Sequence, residues 1–405
     1  MRKLFWAPIV AAVVLIAGCG TPGESQDLLF VQGRGGVSVL PSGDEGPKFQ
    51  ASGAVPSYDW KTVVTATRAD GTTRVEAMNP SSGIEVWEEL VSGRYRVKVV
   101  SGDGKLAALT PRSNYSYLYG RTESRLAITG PRLSATRFIT LDGNFEPEAF
   151  STDGKSLFVI QYLPARAPVK YQVRRLDLET ERVVDVYTPD QDLQTAMRGT
   201  ARVQAGSPDG TRLYTLYTLN DGGHLHTFVH VLSLDGLWAH CIDLPHDFSA
   251  PNEKEVAITV SSDNERLYVT DSDAGIVAEI DTEALTVTRT TATEVGQGFE
   301  GFPGSTQAAV ADDGTVFMAR GPYLEALNPD DLSRSDSWTL ADSVMGLQLA
   351  EGGDRLYVGL RHEIVIIDLE TGERVGKLYP PGGPIKKLGP VIRSLRDRSI
   401  LKCAC

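Results

Sequence analysis

The stretch RLYVTDSDAGIVAEIDTEALTV (residues 266–287) carries the fold prediction. RLYV and IVAEID are short β-rich segments separated by DSDAG, and DTEAL separates IVAEI from a third segment, TVTRT. Asp and Ser side chains bond to nearby backbone, and Gly adopts conformations that other residues avoid, so both short polar segments predict tight turns. The preceding TVSSDNE reads as an earlier strand and turn. The stretch therefore predicts a four-stranded antiparallel meander.

Looser copies of this pattern recur along the chain. In each, a turn rich in Gly, Asp or Asn precedes a hydrophobic strand: SGDGKLAAL from Ser101, STDGKSLFVI from Ser151, SPDGTRLYTLY from Ser207, ADDGTVFMA from Ala311 and EGGDRLYVGL from Glu351. Residues 27–43 and 59–80 form two weaker units, which brings the total to eight strand pairs. Over residues 27–379 the units average about 44 residues, the period of a four-stranded propeller blade.

We therefore expect an all-β fold, a β-propeller of four-stranded antiparallel blades. A single blade cannot bury both of its faces, whereas a ring of blades buries them all and leaves only short edges. Eight blades are expected, and seven is the alternative if the two N-terminal units merge. A β-sandwich is the other architecture with short, regularly spaced strands. The first unit lacks an inner strand, and we expect residues 384–395 to pair into it and close the ring.

The repeat resembles known propeller families. LYVTDSDAGIVAEIDTEALTV is similar to a repeat of the YVTN family of bacterial surface propellers, with Tyr268, Val269, Thr270 and Asp271 at the family's name-giving positions. SPDGTRLY and STDGKSLF resemble TolB-type and WD-like repeats. The resemblance covers roughly residues 144–379 and implies a propeller placed outside the cell. It implies no reaction, because propellers host many unrelated functions.

The N-terminus has the features of an export signal. Arg2 and Lys3 precede an apolar run, residues 4–17, which is shorter than the ~20 residues that span a bilayer. The following IAGC resembles the lipobox of bacterial lipoproteins, which implies cleavage before Cys19 and a lipid on its sulfur. We expect a signal peptide over residues 1–18 and a lipidated tether over 19–26. A single propeller domain over 27–395 and a tail over 396–405 complete the expected organisation.

Charge and location limit the partners. The formal net charge of −12 argues against nucleic-acid binding, which requires a basic surface. The lipid predicts a cell-membrane protein on the extracytoplasmic side, with the membrane as one partner. An envelope protein or a small ligand is the other expected partner.

Five of the six histidines lie in residues 222–247, GGHLHTFVHVLSLDGLWAHCIDLPHD. Imidazole binds zinc, copper or nickel, which makes His224, His226 and His240 the candidate ligands of a metal site. Their spacing matches no closed zinc pattern, so the favoured interpretation is a polar blade face without metal. No cofactor is predicted. DSDAG has the alternating carboxylates of a calcium loop but lacks the rest of that pattern, which favours a plain turn.

The remaining cysteines are Cys241, Cys403 and Cys405. In an oxidising compartment one bridge could join Cys241 to the terminal pair and leave a free thiol, although the fifth and first blades are far apart in a ring of eight. A bridge between Cys403 and Cys405, and three unpaired thiols, also remain open.

No nucleophile elbow, phosphate loop or zinc-protease motif is present. We therefore expect a binding or scaffold lipoprotein without catalysis; the alternative is an extracytoplasmic propeller enzyme, lactonase- or quinoprotein-like. Because regular turns serve stability, recognition should fall to the irregular insertions, residues 110–124, 161–172 and 293–306. Aromatic side chains anchor interfaces. The candidate contacts are Tyr115, Tyr117, Tyr119, Phe299 and Phe302.

Overall fold

The computed structural model describes residues 25–33, 36–43, 46–112, 119–189, 196–221, 224–245, 248, 254–294, 305–381 and 384–395. These residues form eight four-stranded antiparallel sheets, which are the blades of a β-propeller. The prediction of eight blades is confirmed, and the seven-blade alternative is wrong. No helix in the described part of the chain is long and apolar enough to cross a membrane.

The strands follow chain order within each blade except in the first. Blade 1 contains β1 (Ser25–Gly33), β2 (Gly36–Pro41), β3 (Phe49–Ala51) and β32 (Ile385–Leu395). Blade 2 contains β4 (Val55–Pro56), β5 (Val63–Ala69), β6 (Thr72–Asn79) and β7 (Ile84–Ser92). Blade 3 contains β8 (Tyr95–Val100), β9 (Ala107–Pro111), β10 (Glu123–Thr129) and β11 (Arg137–Asp142). Blade 4 contains β12 (Asn144–Phe150), β13 (Ser156–Leu163), β14 (Lys170–Asp177) and β15 (Val183–Asp185).

The second half of the ring repeats this order. Blade 5 contains β16 (Thr200–Gly206), β17 (Arg212–Asp221), β18 (His224–Ser233) and β19 (Ala239–Asp243). Blade 6 contains β20 (Val256–Val260), β21 (Arg266–Asp271), β22 (Ile276–Asp281) and β23 (Thr286–Ala292). Blade 7 contains β24 (Gln307–Val310), β25 (Val316–Arg320), β26 (Tyr323–Leu327) and β27 (Arg334–Thr339). Blade 8 contains β28 (Gly346–Leu349), β29 (Arg355–Gly359), β30 (Ile364–Asp368) and β31 (Arg374–Leu378).

One edge strand of each sheet faces the ring axis: the first strand in blades 2 to 8, and β32 in blade 1. Most of these strands contact the corresponding strand of the next blade. We call them the inner strands: β4, β8, β12, β16, β20, β24, β28 and β32. The connections from first to second and from third to fourth strand lie at one end of the ring, the turn end. The connections from second to third strand and from blade to blade lie at the other, the loop end.

The ring closes as predicted. β32 takes the inner position of blade 1 and pairs antiparallel with β1, with Leu28 opposite Ile392 and Ser25 opposite Leu395. Tyr357 of blade 8 donates a 2.7 Å hydrogen bond to Asp27 of blade 1, and both side chains are buried. Because β1 runs from the turn end to the loop end, Ser25 and Leu395 lie together at the turn end.

The core lies between the blades, as strand alternation requires. On β18, Val229 and Val231 pack in a cluster that includes Val256 and Leu267 of blade 6. The opposite face of the same strand places Leu232 in a cluster with blade 4 residues. Each central strand therefore has two buried faces.

Candidate functional site

The described parts of the three predicted insertions lie at the loop end. Residues 112–122 join β9 to β10 and residues 164–169 join β13 to β14, both second-to-third connections, whereas residues 293–306 lead from blade 6 to blade 7. The expected 161–172 insertion is too long: residues 161–163 and 170–172 are paired strand, so only six residues form the loop. The segments QYL and KYQ instead lengthen the paired strands β13 and β14.

Two of these insertions touch. Arg121 N donates a 2.9 Å hydrogen bond to the carbonyl of Ala165. Gly120 has a φ of +78°, and a Cβ there would lie 2.6 Å from Arg166 Cα, so only glycine allows this approach. Tyr119 precedes this contact with 79% of its surface exposed. Tyr115, Tyr117, Phe299 and Phe302 lie outside the described residues, as does Cys19.

The described candidate ligands, His226 and His240, are spread along blade 5 rather than gathered. His226 lies opposite Leu219, and His240 lies opposite Val231, five residues further along β18. Five strand residues span about 16 Å, so His226 and His240 are not brought to one point. His224 begins β18, and its side chain lies outside the described residues.

His230 has a structural position that the sequence did not distinguish. It is buried at the interface of blades 4 and 5, edge-on to Tyr217, with Cys241 opposite it on β19. Burial, reinforced by His240, lowers the pKa of His230 to about 4, so its imidazole is neutral at physiological pH. Cys403 and Cys405 lie outside the described residues, so the cysteine pairing remains a prediction.

The acidic turn DSDAG connects β21 to β22, which confirms the prediction of a plain turn. Asp271 Oδ1 accepts hydrogen bonds from the backbone N–H groups of Asp273 and Ala274, both at 3.0 Å. Among the described side chains, Glu76, Glu85 and Glu88 are close enough to share a cation. They lie on β6 and β7, away from the inner strands, and Arg74 pairs with Glu88 at 3.2 Å.

The charges of the inner strands distinguish the axial channel from the rest of the chain. Their described side chains include five cations and two acids, although the whole chain has a net charge of −12. These residues are Arg96, Lys98, Glu146, Glu148, Arg202, Lys386 and Lys387. The inner strands therefore carry a local excess of cations in an acidic protein.

One wall of the channel is polar and continuous across blades 3, 4 and 5. Lys98 on β8 pairs with Glu146 on β12 at 3.0 Å, and Arg121 of the loop end reaches the same carboxylate at 2.5 Å. Gln204 on β16 donates a 2.5 Å hydrogen bond to Glu148. Contacts thus run from each inner strand to the next and hold the wall rigid.

β-Bulges place these side chains. The inner strands are irregular between Val97 and Val99 and between Pro147 and Ala149, so Lys98 and Glu148 are the extra residues of their strands. A bulge re-aims a side chain out of the alternating pattern. β16 also has a bulge, but its extra residue is Arg202, two positions earlier relative to the turn than Lys98 and Glu148. Arg202 Nε donates a 2.6 Å hydrogen bond to Thr218.

Burial raises the pKa of Glu148, and the nearby Glu146 adds to this shift, while Gln204 and Lys98 oppose it. Water nevertheless reaches the residue, which is only partly buried by surface area. A carboxyl group surrounded by protein yet open to solvent is expected on the wall of a water-filled channel. Lys387 shows the same combination: it is solvent-accessible, and desolvation lowers its pKa.

The charged wall does not continue into blades 6 and 7. Lys98, Glu148 and Gln204 each stand three residues before the first residue of their turn, at Ser101, Ser151 and Ser207. In blades 6 and 7 the same count falls on Ile258 and Ala308, which are regularly paired opposite Val269 and Met318. Ile258 packs against the core cluster between blades 5 and 6.

Tyr58 crosses the channel at the turn end. It belongs to the first turn of blade 2, yet its hydroxyl donates to the carbonyl of Ser207 in blade 5, three blades away. Gly206 makes room for it, since a Cβ there would lie 2.0 Å from the Tyr58 hydroxyl. A ligand would thus enter from the loop end.

Sequence reasoning missed the channel residues. Arg96, Glu146 and Arg202 all stand five residues before a turn serine, and this register would have found them. This spacing does not stand out, because each inner strand resembles an ordinary short segment of polar and apolar residues. The inner strands that it contacts also lie about 50 residues away in sequence.

Comparison with known proteins identifies a fold. No protein-family model matches the sequence, and no curated protein matches it. The structure of apo AztD from Citrobacter koseri superposes with a TM-score of 0.56 at 12% identity, covering 92% of this chain and 98% of that one. The dihydro-heme d1 dehydrogenase NirN in complex with DHE gives 0.53 at 16% identity, covering 91% and 74%. Identities this low show a shared propeller fold alone, so the YVTN-type repeat and the lipobox stay predictions.

Proposed function

We propose that this protein is a lipid-anchored, extracytoplasmic binding protein whose partner or ligand contacts the loop end of the propeller. The observation that carries the proposal is the common location of the irregular insertions. Connections from blades 3 and 4 and from the junction of blades 6 and 7 all lie at the loop end, and the first two are in contact. The turn end carries the short, regular turns that serve stability.

The geometry of the chain entry supports the anchoring part of the proposal. β1 begins at Ser25 at the turn end, so a lipid on Cys19 would hold that end at the membrane. Six residues of extended chain reach at most about 22 Å. The loop end would then point away from the bilayer, where a partner can approach it.

Capture from the native envelope tests the binding part. Immobilised wild-type protein should retain a partner that a Tyr117→Ala/Tyr119→Ala double variant loses, because aromatic anchors dominate interface energies. Phe138→Ala is the matched control, since Phe138 is an exposed aromatic residue on the outermost strand of blade 3. Equal capture by the wild type, the double variant and the control would refute the proposal.

Mass spectrometry of the membrane fraction tests the anchor. The expected mature N-terminus is an acylated Cys19, and Cys19→Ser should release the protein from the membrane. An N-terminus elsewhere, or membrane retention of the Cys19→Ser variant, would contradict lipid anchoring.

A further inference from the structure

Arginines join neighbouring blades at the turn end of the ring. In the described part of the chain, an arginine of one blade donates to a turn of the next blade at three junctions. The acceptor in each case is the carbonyl of the residue that follows the first Asp or Asn of the third-to-fourth turn. The pairs are Arg137 with Leu178, Arg212 with Thr282, and Arg289 with Pro329. A planar guanidinium with several N–H donors suits such a carbonyl-lined cleft.

None of the described residues supplies such an arginine at the junction of blades 7 and 8. Arg289 of blade 6 lies opposite Glu279, next to a bulge, and pairs with it at 2.6 Å. In blade 7 the corresponding bulge lies next to Ala326, and Asp336 lies opposite Ala326. Two long, oppositely charged side chains are thus replaced by two short ones, one of which is an acid. The replacement leaves space where blade 6 places a guanidinium.

The other arginine position is also without a cation in blade 7. Arg212 and Val316 each stand five residues after the first residue of their turn, so Val316 takes the place of that arginine. Leu369 follows the first Asp of the blade 8 turn, and its carbonyl accepts no hydrogen bond from the described part of the chain. Trp338 Nε1 donates at 3.2 Å to the Gly372 carbonyl instead, three residues further along. The Leu369 carbonyl is therefore available to a ligand.

A cavity of about 480 Å³ occupies this junction. Its walls include the rings of Phe317 and Trp338 and the side chains of four acids: Asp312, Asp313, Asp336 and Glu370. None of these four carboxylates forms an ion pair with a described residue. A cation in the cavity would offset the repulsion among them.

Two of the carboxylates reach across the junction. Asp336 Oδ2 lies 3.9 Å from the point where a Cβ on Gly372 would stand, and Asp312 Oδ2 lies 3.6 Å from the corresponding point of Gly353. Both glycines belong to turns of blade 8, whereas both acids belong to blade 7. Negative charge from one blade is therefore held beside the turns of the next.

An aromatic ring completes the resemblance to an occupied cleft. At the junction of blades 5 and 6, Arg212 Cζ lies 5.6 Å from the ring centroid of Trp238 while the guanidinium donates to Thr282. Trp338 lines the cavity between blades 7 and 8. A cation over an indole ring is attracted by its negative face, so a ring, a carbonyl and carboxylates here favour the same kind of group.

We propose that the cavity between blades 7 and 8 binds a guanidinium group from outside the chain. Asp336 and Asp312 pair with its charge, the Leu369 carbonyl accepts one of its N–H groups, and Trp338 contacts its plane. The group can belong to a free guanidino compound or to an arginine side chain of a partner. The cavity lies at the turn end, away from the loop-end surface of the proposed function, so either proposal can fail without the other.

Nuclear magnetic resonance of the purified, ¹⁵N-labelled Cys19→Ser chain tests the proposal, with the tripeptide acetyl-Gly-Arg-Gly-amide as the probe. The Trp338 indole N–H signal, identified by its loss in Trp338→Phe, should shift with the probe and saturate. The Trp87 indole signal should stay in place, because that N–H bonds to the Gly104 carbonyl at a buried site.

Three further probes define the ligand. The same peptide with citrulline, an uncharged isostere of arginine, should bind about tenfold more weakly, and so should the peptide with lysine. Agmatine identifies the source of the group. Tighter binding of the tripeptide than of agmatine would favour an arginine of a partner, and the reverse would favour a free guanidino compound.

Variants of one exposed residue locate the site. Asp336→Asn should weaken tripeptide binding about fivefold, the effect of losing one charged hydrogen bond at a partly exposed site. Asp336→Arg should abolish binding, because its own guanidinium would take the place that Arg289 takes in blade 6. Asp330→Asn and Asp330→Arg are the matched controls, since Asp330 is an exposed turn residue of the same blade outside the cavity walls. Both should bind nearly as the wild type does.

The exposure of Asp336 and Asp330 separates binding from folding, and all four variants should melt near the wild-type temperature. The proposal is overturned if the Trp338 signal does not move with any guanidinium probe. It is also overturned if the citrulline or lysine peptide binds as tightly as the arginine peptide, or if Asp336→Asn binds as tightly as Asp330→Asn.

Discussion

Tyr58 shows how one side chain can join distant parts of a ring. Its hydroxyl bonds to Ser207 three blades away, and its ring occupies space that a side chain at residue 206 would need. Burial raises the pKa of Tyr58, so the phenol stays protonated and remains a donor at any physiological pH. The contact ties two turns together without any intervening strand.

We expect Tyr58→Phe to lower the free energy of unfolding by about 1 kcal/mol, because the Ser207 carbonyl loses its donor while the ring still fills the space. Urea unfolding monitored by fluorescence measures this difference. Tyr119→Phe, which alters an exposed hydroxyl, should leave the stability unchanged. Equal stability of all three proteins would show that the Tyr58 hydrogen bond contributes nothing.

At the scale of the element, the recurrent turn has one hydrogen-bonding scheme. The turn serine donates to the aspartate two residues later at 2.5–2.8 Å, in blades 2 to 6. Its oxygen also accepts from the N–H five residues later, for example Ser156 N to Ser151 Oγ at 2.9 Å. One hydroxyl thus satisfies groups on both sides of the turn, which explains why SxD precedes so many strands.

Ser151→Ala should destabilise the protein by about 1–2 kcal/mol, because the buried Ser156 N–H loses its side-chain acceptor and Asp153 loses a donor. Thr152→Ala in the same turn is the control, since Thr152 is exposed. Thermal or urea unfolding of both variants measures the effect. A Ser151→Ala variant as stable as Thr152→Ala would refute this account of the turn.

The same turns should make stability depend on pH. The backbone N–H of Lys155 and the Ser151 hydroxyl hold the pKa of Asp153 below its usual value, and Ser261 does the same for Asp263. A carboxyl group with a lowered folded pKa stabilises the fold above its unfolded pKa of about 3.9 and loses that contribution as pH falls through the folded value. We expect unfolding titrations between about pH 6 and pH 3 to show a smaller loss for Asp153→Asn than for the wild type. The prediction would be wrong if the wild type and Asp153→Asn lost the same free energy of unfolding over this pH range.

At the scale of the whole molecule, the junction of blades 8 and 1 is the seam of the ring. Two features hold it: the pairing of β32 with β1, and the Tyr357–Asp27 hydrogen bond. The seam joins segments about 330 residues apart, and closing so long a loop costs conformational entropy. These contacts must offset that cost.

Tyr357→Phe should cost about 1–3 kcal/mol, because the buried Asp27 carboxylate loses a donor that water cannot replace. Tyr379→Phe is the control, because Tyr379 is 71% exposed. Differential scanning calorimetry should show a lower melting temperature for Tyr357→Phe alone. Equal melting temperatures of Tyr357→Phe and Tyr379→Phe would show that the Tyr357–Asp27 hydrogen bond does not stabilise the seam.

The sequence predicted the architecture better than the site, for a physical reason. Turn chemistry is local, so Ser207 and Asp209 reveal a strand pair without knowledge of the rest of the chain. The sequence also predicted that blade 1 lacks its own inner strand, because the chain enters this blade directly at the second strand, β1. The channel wall is assembled across blades: Glu148 meets Gln204 only after two blades pack, and no local pattern records that neighbour.

The placement of β32 has a consequence for the order in which the chain is made. Leu28, Leu29, Phe30 and Val31 are translated before their partner strand, which follows more than 350 residues later. Until then β1 presents an unpaired apolar edge, the kind of surface on which chains aggregate. We therefore expect β1 to be shielded, by a chaperone or by delayed folding, until β32 emerges to complete the ring.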